Sequence, residues 1–141
     1  MMALDFWAVI GSRSIQDASD VDAALAEIGY RLHLLALEDL VAFQGQLAEQ
    51  LEALDLNGLA SIPVQLSNGA VFEQTDDHFL YARCACLLAG REAAGRAIAD
   101  PEQFGQFIAP RLQSAEALLY LARNEYRQRT GESMKGVRIP E

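Results

Sequence analysis

Asp76, Asp77, Arg83 and Arg91 are the residues whose types and spacing can do chemistry in this chain. The adjacent carboxylates stand where an apolar helical pattern begins, and the two arginines follow at helical-turn spacings, so all four can converge on one polar groove. An arginine on an otherwise apolar helix face is costly to desolvate unless it is paired, and its planar fork matches a carboxylate bidentately. The first reading is therefore a structural ion pair in which aspartates hold inward arginines. A binding groove comes second. Catalysis, with an aspartate as base and the arginines as a charge clamp, comes third. Asp76 and Asp77 also suit helix capping, where carboxylates favour the positive end of the helix dipole.

Other reactive side chains carry weaker signals. His78, Cys84 and Cys86 lack the paired spacing that aims ligands at one metal ion, so no metal site is expected. His33, between Leu32 and Leu34, reads as a packed or half-exposed histidine. Arg123, Glu125, Tyr126 and Arg127 read as a solvated helix face. There is no glycine-rich phosphate loop and no nucleophile elbow, and Met134-Lys135-Gly136 precedes no helix. No catalytic residue and no cofactor is assigned on these grounds.

The elements that position these groups are helical. Leu and Ala dominate the apolar 51% of a 141-residue chain, and unbranched side chains lose little rotamer freedom in a helix. That length suits one domain able to bury roughly 70% of its unfolded surface. The expected architecture is all-α: a single compact domain of six or seven helices of unequal length over residues 1–131, with little or no strand, followed by a mobile tail over 132–141. Eleven basic against twenty acidic residues leave a formal charge of -9. Such a balance argues against nucleic-acid binding, which draws on Lys and Arg, and makes a basic protein the easier partner. Cys84 and Cys86 point about 200° apart on a helix, which favours unbridged thiols and a reducing compartment. The opening residues do not resemble a secretory signal, no apolar run approaches a membrane span, and a cytoplasmic address is expected.

Along the chain, Leu4 to Ile10 predict a short helix that Gly11 and Ser12 end, with Trp7 as an anchor. Ser19 or Asp20 is the expected cap of an amphipathic helix carrying Val21, Ala24, Leu25, Ile28, Leu32 and Leu35. Leu37 to Leu54 form a second stripe, stopped by Asp55, Asn57 and Gly58. Pro63 forbids a regular helix in the next segment. Asn68-Gly69 is a turn whose flanks look too short for a β-hairpin. Thr75, Asp76 and Asp77 open a central helix that Gly90 interrupts or loosens. Asp100-Pro101 restarts the chain as a helix that Pro110 ends, and a last helix is expected from Ser114 to Thr130, with Gly131 as its stop.

Phe6-Trp7, the leucine-rich helix leading into Phe43, the run Asp76-Asp77-His78-Phe79-Leu80-Tyr81-Ala82-Arg83, Gly90-Arg91, Asp100-Pro101, and Glu116 to Tyr126 followed by Thr130-Gly131 together carry a likeness. On these residues the chain resembles the bacterial domain-of-unknown-function family 4240 over nearly all of Leu4 to Gly131. The resemblance implies a bacterial origin, a helical fold and a shared polar constellation, but no reaction. Two positions depart from the family pattern, with Ala82 and Ala85 where it usually places an aromatic and a Trp.

The small size, the acid excess and the absence of a catalytic motif make a protein-binding or regulatory domain the leading expectation, for instance an immunity-type protein occupying a basic partner. One alternative is an enzyme using the Asp/Arg cluster on a small polar or anionic substrate. The other is a self-associating structural helical module.

Overall fold

The computed structural model describes residues 3–137. In chain order these form α1 (Phe6–Ile10), α2 (Ala18–His33), α3 (Leu37–Ala53), α4 (Asn57–Ala60), strands β1 (Val64–Gln65) and β2 (Val71–Phe72), α5 (Asp76–Ala89) and α6 (Arg91–Ala99), two 3-10 helices (Pro101–Phe107 and Pro110–Leu119) and α7 (Leu121–Thr130). The fold is mostly all-α, as the Leu and Ala spacing predicts.

Helix α5 is the axis around which the rest is built. It is apolar on nearly every side, the pattern of a helix enclosed by others, and Phe79, Leu80, Ala82 and the run from Cys84 to Leu88 are all buried. Packed on it are the second 3-10 helix, α6, α3, the first 3-10 helix and α2. Ala82 and Ala85 are fully buried, so their short side chains let neighbouring elements approach the axis closely. Thr75 caps α5 by accepting from the His78 N–H at 3.0 Å. Gly90 ends it at φ 115°, where a Cβ would lie 3.1 Å from the Gly11 carbonyl oxygen and 3.1 Å from the Ser12 Cβ. Only glycine admits both that backbone and that approach.

Four expectations about the elements are corrected. The cap of α2 is Asp17, earlier than Ser19 or Asp20: its carboxylate accepts from the Asp20 N–H, while the Asp20 side chain accepts from the Asp17 N–H. This reciprocal box satisfies more orphan donors than a cap at either later residue. The Asn68-Gly69 turn does close a hairpin, pairing Val64 with Phe72 and Gln65 with Val71. Its two-residue strands are supplemented by the Leu66 N–H to Ala70 carbonyl bond and by the Asn68 side chain accepting from the Ala70 N–H, which offsets their shortness. Finally, the helix expected from Ser114 to Thr130 is divided at Tyr120 into a 3-10 helix and α7. Buried Leu112, Ala115 and Leu118 recur every three residues, the period that aligns side chains along a 3-10 helix. Phe104 and Phe107 do the same in the helix that follows Asp100-Pro101, which is 3-10 where an α-helix was expected.

A recurring device holds the helices together. Arg31 of α2 donates from Nη1 to the Val9 carbonyl at the end of α1 at 2.8 Å. Arg129 of α7 donates to the carbonyls of Leu32 and His33 at the end of α2 and of Leu35 just beyond it. Arg83 of α5 donates to the Leu51 carbonyl in the last turn of α3. Each guanidinium donates to carbonyls at a helix end, where the intrahelical ladder runs out of donors, and places positive charge at the negative end of the dipole. Beyond α7, Met134 packs partly buried against the core. Residues 138–141 of the expected tail lie outside the described residues.

Candidate functional site

Arg83 is only 6% exposed. Its Nη1 donates to the Leu51 carbonyl oxygen at 2.8 Å, and its guanidinium carbon sits 4.4 Å from the centre of the Phe79 ring. Burial lowers its pKa, and the negative charge of Asp55 opposes that shift. Nε has no hydrogen-bond partner among the described residues.

The expected ion pair between Arg83 and Asp76 or Asp77 does not form among the described residues. The physical reason lies in the helix ends. Asp76 and Asp77 occupy the exposed first turn of α5, about 9 to 10.5 Å along the axis from Arg83. Helix α3, meanwhile, has no basic residue in its own last turn, and it presents the Leu51 carbonyl to Arg83.

Asp76, Asp77 and Arg83 nevertheless line one cavity of about 540 Å³, together with Asp55, Tyr81 and Tyr120 and the apolar Phe79, Leu80 and Leu119. Arg91 is not part of it. That residue follows the break at Gly90, begins α6 and is exposed. The structure thus brings together three of the four predicted residues and separates the fourth. Asp55 read in the sequence only as a helix stop. Tyr81 carried no signal of its own beyond its place next to Ala82 and Arg83, and Tyr120 none, because nothing local shows that the chain breaks there. The interaction of the Tyr81 phenol with the Glu116 carboxylate raises its pKa above the usual tyrosine value, and burial adds to the shift.

A second cavity, of about 240 Å³, shares Tyr120 with the first and is lined by Arg123, Asn124 and Arg127 of α7 with Ser133, Met134 and Val137. The Arg123 guanidinium lies 5.5 Å from the centre of the Tyr120 ring. The residues expected as one solvated helix face are therefore divided. Glu125 turns instead to Arg129, at 2.8 Å, and to His33, at 3.2 Å.

The remaining reactive groups serve the fold. His78 donates from Nε2 to the Ile108 carbonyl oxygen at 2.6 Å, since a carbonyl can only accept, and so ties the start of α5 to the end of the first 3-10 helix. Cys84 and Cys86 are free and buried, and burial pushes each thiol up to about 12. Thiols so far from ionisation are poor nucleophiles and poor metal ligands at neutral pH. Among the described residues no group of three or more His, Cys, Asp or Glu side chains is arranged to hold a metal ion. Nor is any described helix long and apolar enough to cross a membrane.

Taken with the fold, this defines a small, mostly all-α domain bearing an acidic cavity where the start of α5 meets the end of α3. The family described as "Protein of unknown function (DUF4240)" matches residues 1–128, and the chain belongs to that family. Comparison with curated proteins and with solved structures gives no match.

Proposed function

We propose that the protein is a binding or regulatory domain of the bacterial cytoplasm that takes a basic side chain of a protein partner into the cavity formed by Asp55, Asp76, Asp77, Tyr81 and Tyr120. The observation that carries this reading is the state of Arg83. Among the described residues it is the only cation lining the cavity; its Nη1 is committed to the carbonyl end of α3, and the three carboxylates outnumber its one charge, which Asp55 faces. Tyr81 and Tyr120 add aromatic surface of the kind that attracts guanidinium and ammonium groups. A net charge of -9 on the whole chain steers basic partners toward it. An immunity-type protein occupying a basic toxin fits this description. The enzyme alternative calls for Arg83 and Arg91 as a paired clamp, and Arg91 lies outside the cavity.

The test is a titration by NMR with the acetylated, amidated pentapeptide Gly-Arg-Ser-Gly-Gly at low salt. Shifts centred on Asp55, Asp76, Asp77, Tyr81 and Tyr120, lost in the D76N/D77N variant and weakened by added salt, are expected. Shifts scattered over the acidic surface, or unchanged in that variant, would remove the cavity as the binding site.

A further inference from the structure

Most arginines in this acidic chain are committed to the fold. Arg13 pairs with Glu27, Arg96 with Glu92, and Arg31, Arg83, Arg111 and Arg129 donate to backbone carbonyls. Arg123 and Arg127 are different. Neither makes an ion pair or a hydrogen bond among the described residues, and they stand one helical turn apart on α7, where they face the same way. Both line the cavity that shares Tyr120 with the acidic one, and Asn124 between them adds a further polar group. Two guanidinium groups at one-turn spacing suit a carboxylate, because each can donate two N–H groups to it.

We propose, on the basis of the reading of the acidic cavity above, that the two cavities form one bipartite groove. Its occupant is a peptide segment of the partner protein in which a basic residue is closely followed or preceded by an acidic one. The basic side chain enters between Asp55, Asp76 and Asp77. The carboxylate reaches Arg123 and Arg127, and the segment crosses Tyr120, which is 43% exposed at the boundary. Such a segment complements the groove in charge, with opposite signs on the two sides of a single aromatic ring. A purely basic segment leaves both free arginines facing it with like charge, so the groove selects against strongly cationic chains as well as for mixed ones.

Acetylated, amidated pentapeptides Gly-Arg-Ser-Gly-Gly, Gly-Arg-Ser-Glu-Gly, Gly-Glu-Ser-Arg-Gly and Gly-Gly-Ser-Glu-Gly, titrated into the intact protein by NMR, test this. At least one of the two mixed peptides is expected to shift both the Asp76–Tyr81 and the Arg123–Arg127 resonances and to bind about fivefold tighter than the arginine-only peptide, the size of one modest charge pair. The R123Q/R127Q variant is expected to abolish that gain while leaving the arginine-only peptide bound as tightly as before or slightly tighter. Equal affinity of all arginine-containing peptides, with shifts confined to the acidic cavity, overturns the bipartite groove and leaves the proposed function standing. Binding of the glutamate-only peptide as tight as that of the mixed ones also overturns it, since the two cavities then act separately. Failure of every arginine-containing peptide to bind removes the reading of the acidic cavity and this inference with it.

Discussion

Arg83 and Leu51 meet across 32 residues of chain, the guanidinium Nη1 donating to the carbonyl oxygen at 2.8 Å in a buried setting. This one bond anchors the end of α3 to the side of α5 and orients the cation that lines the acidic cavity. A lysine at position 83 cannot both reach that carbonyl and stack its charged end over Phe79 as a planar group does. Arg83→Lys is therefore expected to lower stability by about 1 to 2 kcal/mol, read from the midpoint of urea denaturation. An unchanged midpoint would show that the planar guanidinium contributes nothing an ammonium group does not supply.

Two glycines, one between α5 and α6 and one inside α6, should respond in opposite directions. At Gly90 an added Cβ meets the Gly11 carbonyl oxygen and Ser12 on a backbone with φ 115°, so Gly90→Ala is expected to cost about 2 to 3 kcal/mol. Gly95 lies inside α6, with nothing within 4 Å of the position its Cβ would take. Gly95→Ala should stabilise by about 0.5 to 1 kcal/mol through helix propensity. Thermal unfolding of the two variants side by side checks both signs.

Gln44 is fully buried in α3, and neither its amide nitrogen nor its amide oxygen has a partner among the described residues. A buried amide left so costs free energy that an apolar side chain of similar shape does not. Gln44→Met is expected to leave the far-ultraviolet circular dichroism unchanged and to raise stability by about 1 kcal/mol. A loss of stability would mean that the amide is satisfied in solution.

Glu125 supplies a pH dependence. Its hydrogen bond from Arg129, with a smaller contribution from His33, holds its carboxyl below the ordinary value of 4.5 despite the opposing effect of burial. A carboxyl whose folded pKa is depressed contributes stability that is present in full above its unfolded pKa and is lost as pH falls through the folded one. The contribution should therefore persist from neutral pH to just above 4.5 and disappear in more acidic solution. Glu125→Gln is expected to cost about 1 kcal/mol at pH 7, after allowing for solvent screening, and less at pH 3. Denaturant midpoints at the two pH values read this directly. An equal cost at both would assign the effect to packing.

The buried thiols give a simple check on the core. Cys84 and Cys86, with pKa values near 12, should be inert to a thiol reagent at pH 8 in the native protein and react fully once it is unfolded in guanidinium. Rapid native modification of either would place it nearer the surface than the fold requires.

Helical periodicity was legible because it is local. Leucines three and four apart declare a buried face wherever that face docks, and Thr75, Asp100 and Gly131 announce helix ends through their own side chain or backbone. By the same logic the sequence marked Asp76, Asp77 and Arg83 as one polar focus, since the carboxylates open the helix whose apolar side carries the arginine. What holds Arg83 was not legible. A sequence shows charged side chains and suggests that they pair, whereas the partner here is a backbone carbonyl, present at every residue and made available only because α3 ends beside α5. Tyr120 and the division of the last helix were hidden for a related reason: the face that Pro110–Leu119 packs against α5 is supplied by an element distant in the chain. The chain by itself determined an acidic, α-helical domain and the residues able to carry its polar chemistry. Tertiary structure alone decided that Arg91 stands apart, that Asp55 and Tyr120 join the cavity, and that Arg123 and Arg127 lie beside it, because those relations are set by where helix ends meet and not by spacing along any one helix.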